Sequence, residues 1–93
     1  MSDRPMLLFF GSTTEGLSRR AEGYLAQVLQ RRGNHETFHL RRVAREERPD
    51  LLERFRVAAT PTIVVVQGNK VQARLVQPRG ADEIRVFLTP WLK

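Results

Sequence analysis

Two short, continuous apolar runs organise the hydrophobic pattern of this chain. Residues 6–10 read MLLFF and end at Gly11, and residues 62–66 read TIVVV and directly follow Pro61. Continuous apolar runs of this length are typical of strands that are buried on both faces of a sheet. Because proline removes a ladder donor and is tolerated at the first residue of a strand, we expect Pro61 at the entrance of the second strand.

A helix is predicted directly after the first run. Residues 12–15, Ser-Thr-Thr-Glu, fit a capping box, in which the serine hydroxyl and the glutamate carboxylate each accept a hydrogen bond from a free amide of the first turn. Apolar residues then recur at helical spacing, and Gly33 provides the stop. These apolar positions are Leu17, Ala21, Tyr24, Leu25, Val28 and Leu29.

The middle of the chain predicts a second strand and a second helix. Phe38 and Leu40 alternate with polar neighbours, which indicates a strand over residues 36–43 with one wetter face, near a sheet edge. Residues 49–55 predict a short helix that carries Pro49 in its first turn, where the missing amide costs little.

A hairpin and a final helix complete the pattern. Gly68 and Asn69 tolerate positive φ and predict a tight turn into a partly exposed antiparallel strand. Residues 80–82 open the last helix, and Pro90 limits its regular length. The apolar positions are Val71, Ala73 and Leu75 in the strand, and Ile84, Phe87, Leu88 and Trp91 in the helix.

The element order, βαβαββα, predicts one α/β domain over residues 1–93. A βαβ unit makes a parallel, right-handed crossover, whereas a hairpin adds antiparallel strands. We therefore expect a mixed four-stranded sheet with helices on both faces.

The sequence contains no cysteine, which excludes disulfides, thiol catalysis and thiolate metal sites. No apolar run approaches the roughly 20 residues of a membrane span. The five-residue apolar run near the start is shorter than the apolar region of a signal peptide. We therefore expect a cytoplasmic protein that is not inserted in a membrane.

The net charge of +6 comes mainly from arginine, which supplies fourteen of the sixteen basic residues. Arginine binds phosphate and carboxylate groups, so an arginine-driven binder of nucleic acid or acidic protein is one alternative. Ten acidic residues interleave with the arginines, as in residues 45–48, and indicate an ion-paired surface instead. The five phenylalanines are all expected in the core, which leaves no aromatic platform for stacking bases.

The candidate catalytic side chains have structural interpretations. On an extended strand, His35 and His39 would lie about 13 Å apart and could not share a metal ion. Ser12 and its neighbouring threonines lack a histidine base, and the capping box accounts for Ser12. No metal site, catalytic residue or cofactor is predicted.

The chain resembles the thioredoxin superfamily over nearly its whole length. The resemblance is carried by Pro49, Leu52, Phe55 and Val57, then by Thr60-Pro61-Thr62, and continues through the Gly68-Asn69 hairpin and the helix over residues 83–88. It implies that Pro61 is the family's cis-proline. It also places Glu15-Gly16-Leu17-Ser18 opposite the redox motif Cys-x-x-Cys, with an earlier register within residues 12–15 as the alternative. Either register lacks a thiol, so thiol–disulfide exchange is excluded, and no residue singles out glutathione.

A weaker resemblance connects the chain with the clock protein KaiB and the sensory domain of its partner histidine kinase. It rests on the Ala59-Thr60-Pro61 segment after a short helix and on residues 88–91, Leu-Thr-Pro-Trp. It implies a regulatory domain that docks through its sheet edge and last helix.

The function that we predict is a noncatalytic interaction module that binds a protein or an extended peptide. In the thioredoxin-like fold, the loop at Pro61 and the start of the first helix border a groove that accepts a polypeptide by main-chain pairing. The predicted binding residues are Ser12, Thr13, Thr14, Glu15, Thr60 and Pro61.

Overall fold

The computed structural model of the protein describes residues 4–92. Its strands are β1 (Met6–Gly11), β2 (His39–Ala44), β3 (Thr62–Gln67) and β4 (Lys70–Val76). Its helices are α1 (Gly16–Leu29), α2 (Pro49–Arg54) and α3 (Ala81–Leu88), with a 3-10 helix at Arg31–Glu36. No described helix has both the length and the apolar character needed to cross a bilayer.

The four strands form one mixed sheet in the order β2-β1-β3-β4. Strand β1 pairs in parallel with β2, while the β1–β3 and β3–β4 pairs are antiparallel. The two strands with continuous apolar runs are therefore central, and the two alternating strands are the edges. This arrangement confirms the predicted α/β fold class and the edge position of β2.

Helices cover both faces of the sheet, as predicted. On one face, α1 and α3 pack over Leu7 and Phe9 of β1 in the larger core cluster. On the other face, α2 packs over Phe10, whose ring centroid lies 5.6 Å from that of Phe55. Side chains that alternate along β1 thus supply two separate cores.

Helix α1 differs from its prediction at both ends. It begins at Gly16 rather than at the predicted capping box, and its N-cap Glu15 makes no side-chain capping bond. It ends at Leu29, and the predicted stop, Gly33, lies inside the following 3-10 helix. Leu17, which helical spacing assigned to the core, is 51% exposed. At the other end of the 3-10 segment, the strand that was predicted from residue 36 begins only at His39.

Strand β4 contains a β-bulge that changes the face of the sheet on which Val71 lies. Val65 pairs with Ala73, but Val66 pairs with Val71, so Gln72 is an extra residue in β4. Such a bulge breaks the alternation of side chains. Val71 consequently lies on the face opposite Ala73 and Leu75 and is 44% exposed, whereas the sequence placed the three residues on one face.

Several arginines bind main-chain carbonyl groups. Arg74 donates to the carbonyl oxygens of Phe55 and Arg56 at the end of α2, at 2.9 and 3.2 Å. Arg45 donates to the carbonyl oxygen of Ala58, and Arg4 donates to that of Phe38. These arginines donate hydrogen bonds to main-chain acceptors at the end of α2, directly before β2 and in the loop before β3. Part of the positive charge therefore stabilises the fold.

The end of β1 lies unusually close to the start of α1. A Cβ atom at Gly11 would stand 2.9 Å from Cε2 of Phe9 and 3.3 Å from Oγ of Ser18. The absence of a side chain at this position lets the β1–α1 loop turn against the helix.

We expect alanine substitutions at two glycines to have opposite effects on stability. Gly11→Ala lowers the free energy of unfolding by about 1–3 kcal/mol, because the new methyl group overpacks the buried Phe9 ring. Gly23→Ala raises it by about 0.5–1 kcal/mol, because Gly23 is exposed in the middle of α1 and its Cβ would meet nothing within 4 Å. Urea denaturation measures both changes, and equal stabilities would contradict the close approach of β1 to α1.

Candidate functional site

The start of α1 lies against the loop that precedes β3. The carboxylate oxygen Oε1 of Glu15 accepts hydrogen bonds from Oγ of Ser18 at 2.6 Å and from Oγ1 of Thr60 at 3.0 Å. The peptide bond between Thr60 and Pro61 is cis. Three of the predicted binding residues, Glu15, Thr60 and Pro61, are thus brought together although 45 positions separate the first two in sequence.

Ser18 closes this polar cluster from the helix side. It is 4% exposed, and its Oγ also accepts a hydrogen bond from the Ser12 amide at 2.9 Å. The hydroxyl therefore has a carboxylate acceptor and an amide donor, and it has almost no access to solvent. Ser18 was not predicted as a site residue, although the thioredoxin resemblance placed it at the last position of the missing Cys-x-x-Cys motif.

The predicted capping box is replaced by contacts with the β2–α2 loop. Glu46 accepts hydrogen bonds from the Ser12 hydroxyl and, at 3.1 Å, from the Thr13 amide. The hydrogen bond from the Ser12 hydroxyl is the largest cause that lowers the pKa of Glu46 below its ordinary value of 4.5, and the bond from the Thr13 amide is the next largest. The prediction was wrong because it considered only partners within the loop, whereas the nearest carboxylate comes from 34 residues away.

Thr60 and Pro61 are less accessible than the sequence-based site requires. Thr60 is 4% exposed, and Pro61 is among the fully buried side chains. Gln77 donates its side-chain amide to the Thr60 carbonyl at 3.2 Å and its backbone amide to the Pro61 carbonyl at 2.7 Å. Among the main-chain polar groups of Thr60 and Pro61, the Thr60 amide alone has no hydrogen-bond partner within the described residues.

An open groove with a volume of about 370 Å³ runs beside Pro61, between α1 and the β4–α3 loop. We call it the Pro61 groove and define it by its lining residues, which are Leu17, Arg20, Tyr24, Pro61, Gln77, Pro78 and Arg79. Its α1 residues are spaced i, i+3 and i+7 and share one face of the helix. The sequence-based prediction included Pro61 but none of the other lining residues. The i, i+3 and i+7 spacing of Leu17, Arg20 and Tyr24 would have grouped these three residues on one helix face.

The other predicted residues do not line the Pro61 groove. Ser12 and Thr13 instead border a separate depression of about 160 Å³, beside Glu22 and Arg42, which form an ion pair. Thr14 is exposed in the same loop and has its hydroxyl 3.2 Å from that of Ser12. The predicted site is therefore divided, and only its Pro61 side borders the larger groove.

A third depression, of about 390 Å³, lies between the end of α1 and α3. None of the predicted site residues lines it, and one of its arginines, Arg85, pairs with Asp82 at 3.7 Å. Within residues 4–92, no group of three side chains is arranged to hold a metal ion. His39 is exposed on β2, but His35 lies in the 3-10 helix rather than on the predicted strand, and its side chain lies outside what the structure describes.

Comparison with known proteins identifies the fold. No protein-family model and no curated protein matches the sequence. Trxlp from Edwardsiella tarda EIB202 is 17% identical with a TM-score of 0.83, and the match covers 94% of this chain and 84% of that one. Malaria parasite thioredoxin-2 is 16% identical with a TM-score of 0.83, covering 97% and 85%. Arabidopsis thaliana thioredoxin O2, in the oxidised state, is 15% identical with a TM-score of 0.81, covering 98% and 77%.

These structural similarities establish that the chain has the thioredoxin fold. Because the sequence identities are low, they show the fold alone. They do not support the predicted resemblance to KaiB.

We expect the Glu15–Thr60 contact to appear as a coupling energy between α1 and the loop before β3. In a double-mutant cycle with Glu15→Ala and Thr60→Val, the coupling in unfolding free energy is about 1 kcal/mol, as for a hydrogen bond to a partly buried carboxylate. Thr14→Val serves as the control because Thr14 makes no bond to Glu15, and its cycle should give a value near zero. Equal couplings in the two cycles would contradict the contact.

We expect Glu46 to make stability depend on pH. Its pKa is lower in the folded chain, so its contribution is fully present above the ordinary value of 4.5 and is lost as the pH falls through the folded value. The Ser12→Ala variant should therefore show a Glu46 pKa closer to 4.5 in an NMR titration. Its stability deficit against the native protein should shrink on acidification. A deficit that is unchanged on acidification would contradict this role of the Ser12 bond.

Proposed function

We propose that this protein is a noncatalytic thioredoxin-fold module that binds an extended polypeptide in the Pro61 groove. The observation that carries the proposal is the exposed apolar surface of Leu17 beside Pro61 in an open groove. Most of the other apolar side chains of α1 pack into the core. A leucine that remains exposed on this helix provides apolar area that a ligand can cover.

The absence of thiol chemistry supports a binding role. The sequence has no cysteine, and Glu15 and Ser18 stand at the i and i+3 positions of the helix start. A catalytic hydroxyl must reach its substrate, whereas the Ser18 hydroxyl is buried and already bonded to Glu15. This cluster therefore serves to hold α1 against the Thr60 loop.

Main-chain pairing in this groove depends on Gln77. Its side-chain amide occupies the Thr60 carbonyl, which is the acceptor that an incoming strand would use. Because Gln77 is exposed, its amide can move into solvent at the cost of one modest hydrogen bond. The Thr60 amide has no hydrogen-bond partner in the described chain, but Thr60 is 4% exposed and does not line the groove, so we expect side-chain contacts to dominate binding.

A second candidate surface is the outer edge of β4. Val71 and Val76 are exposed by 44% and 51%, and this edge has no strand partner in the part of the chain described. An exposed edge with apolar side chains is able to pair with another chain. This observation supports the alternative of a regulatory domain that docks through its sheet edge, and the experiment below separates the two surfaces.

Nucleic acid is a third candidate ligand, which the arginine content suggested. Part of this charge has a structural role. Main-chain carbonyl groups are bound by Arg4, Arg45 and Arg74, and ion pairs are formed by Arg42 and Arg48. A steep fall of nucleic-acid affinity with salt would be required for this role.

We expect peptides selected from a displayed random library to bind the Pro61 groove. In NMR titrations, the perturbed amides should belong to Leu17, Arg20, Gln77 and Arg79. Leu17→Glu should weaken binding by about tenfold or more, because it places a charge on the apolar contact surface. Val86→Glu is the matched control, since Val86 is 63% exposed on α3 and does not line the groove.

Two outcomes would overturn the groove assignment. Perturbation of Val71 and Val76, with the groove unchanged, would place binding at the β4 edge. Equal loss of affinity in the Leu17→Glu and Val86→Glu variants would show that the charge change acts without groove contact.

A further inference from the structure

We propose that the Pro61 groove selects an extended segment in which acidic and apolar residues alternate. This inference rests on the proposed function and adds the chemical class of the ligand. It follows from the two kinds of side chain that line the groove, which are the two arginines, Arg20 and Arg79, and the apolar side chains beside them.

The basic side chains of the groove are Arg20 on α1 and Arg79 in the β4–α3 loop. Both residues are exposed, and within the described chain neither guanidinium takes part in an ion pair. This differs from the positions of Arg42, Arg48 and Arg85, which have carboxylate partners. Two unpaired guanidinium groups at one groove favour carboxylate groups in the ligand, which they bind with charge-assisted hydrogen bonds.

Apart from Gln77, the groove residues other than the two arginines are apolar or aromatic. They are the half-exposed Leu17, the partly buried Tyr24, and the buried Pro61 and Pro78. In an extended segment, successive side chains point to opposite sides, so apolar residues can face Leu17 and Tyr24 while the long, exposed side chains of Arg20 and Arg79 extend outward to the carboxylates of their neighbours. A ligand of this pattern therefore satisfies both the apolar contact and the charges.

Two acidic residues next to elements of the groove have their own hydrogen-bond partners. Glu15 accepts hydrogen bonds from Ser18 and Thr60, and Glu83 accepts one from the Arg79 backbone amide at 2.7 Å. No acidic side chain is among the residues that line the groove. The lining side chains therefore carry two positive charges and no negative charge, which complements an acidic ligand and opposes a basic one.

The test uses three capped octapeptides that share alternating valines and carry glutamate, glutamine or lysine at the other positions. Each is labelled and titrated with the 93-residue protein by fluorescence polarisation, and its site is mapped by NMR. The glutamate peptide should bind in the groove about tenfold more tightly than the glutamine peptide, and the lysine peptide should bind more weakly still.

Charge-removing variants distinguish the groove from the general positive field. Arg20→Gln and Arg79→Gln should each weaken binding of the glutamate peptide by about fivefold and leave the glutamine peptide within about twofold. Arg41→Gln is the matched control, because it makes the same charge change on β2, at the opposite edge of the sheet. It should change the affinity by less than about twofold.

The following results would overturn the acidic preference, its assignment to the groove arginines, or the groove itself as a peptide site. Equal binding of the glutamate and glutamine peptides in the groove would overturn the acidic preference and leave the groove as a peptide site. An equal effect of Arg41→Gln would assign the preference to net charge. Failure of all three peptides, together with failure of the library selection, to perturb groove residues would overturn both this inference and the proposed function.

Discussion

The Glu15 carboxylate is the contact on which the arrangement of the site depends. It accepts one hydroxyl from α1 and one from the loop before β3, and it thereby joins elements that are 45 positions apart. Without this acceptor, the buried Ser18 and Thr60 hydroxyls would lose a charged partner, and leaving a buried donor unpaired costs about 1–3 kcal/mol. This connection lies directly beside Leu17 and Pro61 and adds to the core packing that positions α1 at the groove.

The same region shows how a thioredoxin fold can exist without its thiols. The helix start, which carries reactive cysteines in thioredoxins, here carries a glutamate and a serine that bond to each other and to the neighbouring loop. Glu15 and Ser18 direct their side chains into the protein, whereas Leu17, which lies between them in sequence, is exposed to solvent. The helix start thus supplies internal stabilisation on one side and an apolar surface on the other.

The arginine-rich composition has more than one role. Arg74 binds the free carbonyl groups at the end of α2, where a cation is also favoured by the helix dipole. Arg45 secures the loop that leads to Pro61 through the carbonyl of Ala58. The arginines of the groove differ from these, because no ion pair within the described chain neutralises them. Composition alone does not separate the two groups, since the difference is in their contacts.

The fold was predictable where a local pattern determines the structure. The apolar runs of β1 and β3, the positive φ angles of Gly68 and Asn69, and the position of Pro49 in α2 all follow from short segments. The bulge at Gln72 was not predicted, because pairing with β3 determines it.

The site was predicted in part. Glu15, Thr60 and Pro61 meet as the thioredoxin resemblance implied, but the partner of Ser12 is Glu46, 34 residues away. The groove combines residues from α1, the Pro61 loop and the β4–α3 loop, and no single segment contains its pattern.

The most direct test of peptide binding in the Pro61 groove is an NMR measurement of intermolecular contacts between the protein and a library-selected peptide. Binding in the groove predicts nuclear Overhauser effects from peptide side chains to the Leu17 methyl groups and the Tyr24 ring. Contacts to the methyl groups of Val71 and Val76, with none to Leu17, would contradict it and assign recognition to the β4 edge.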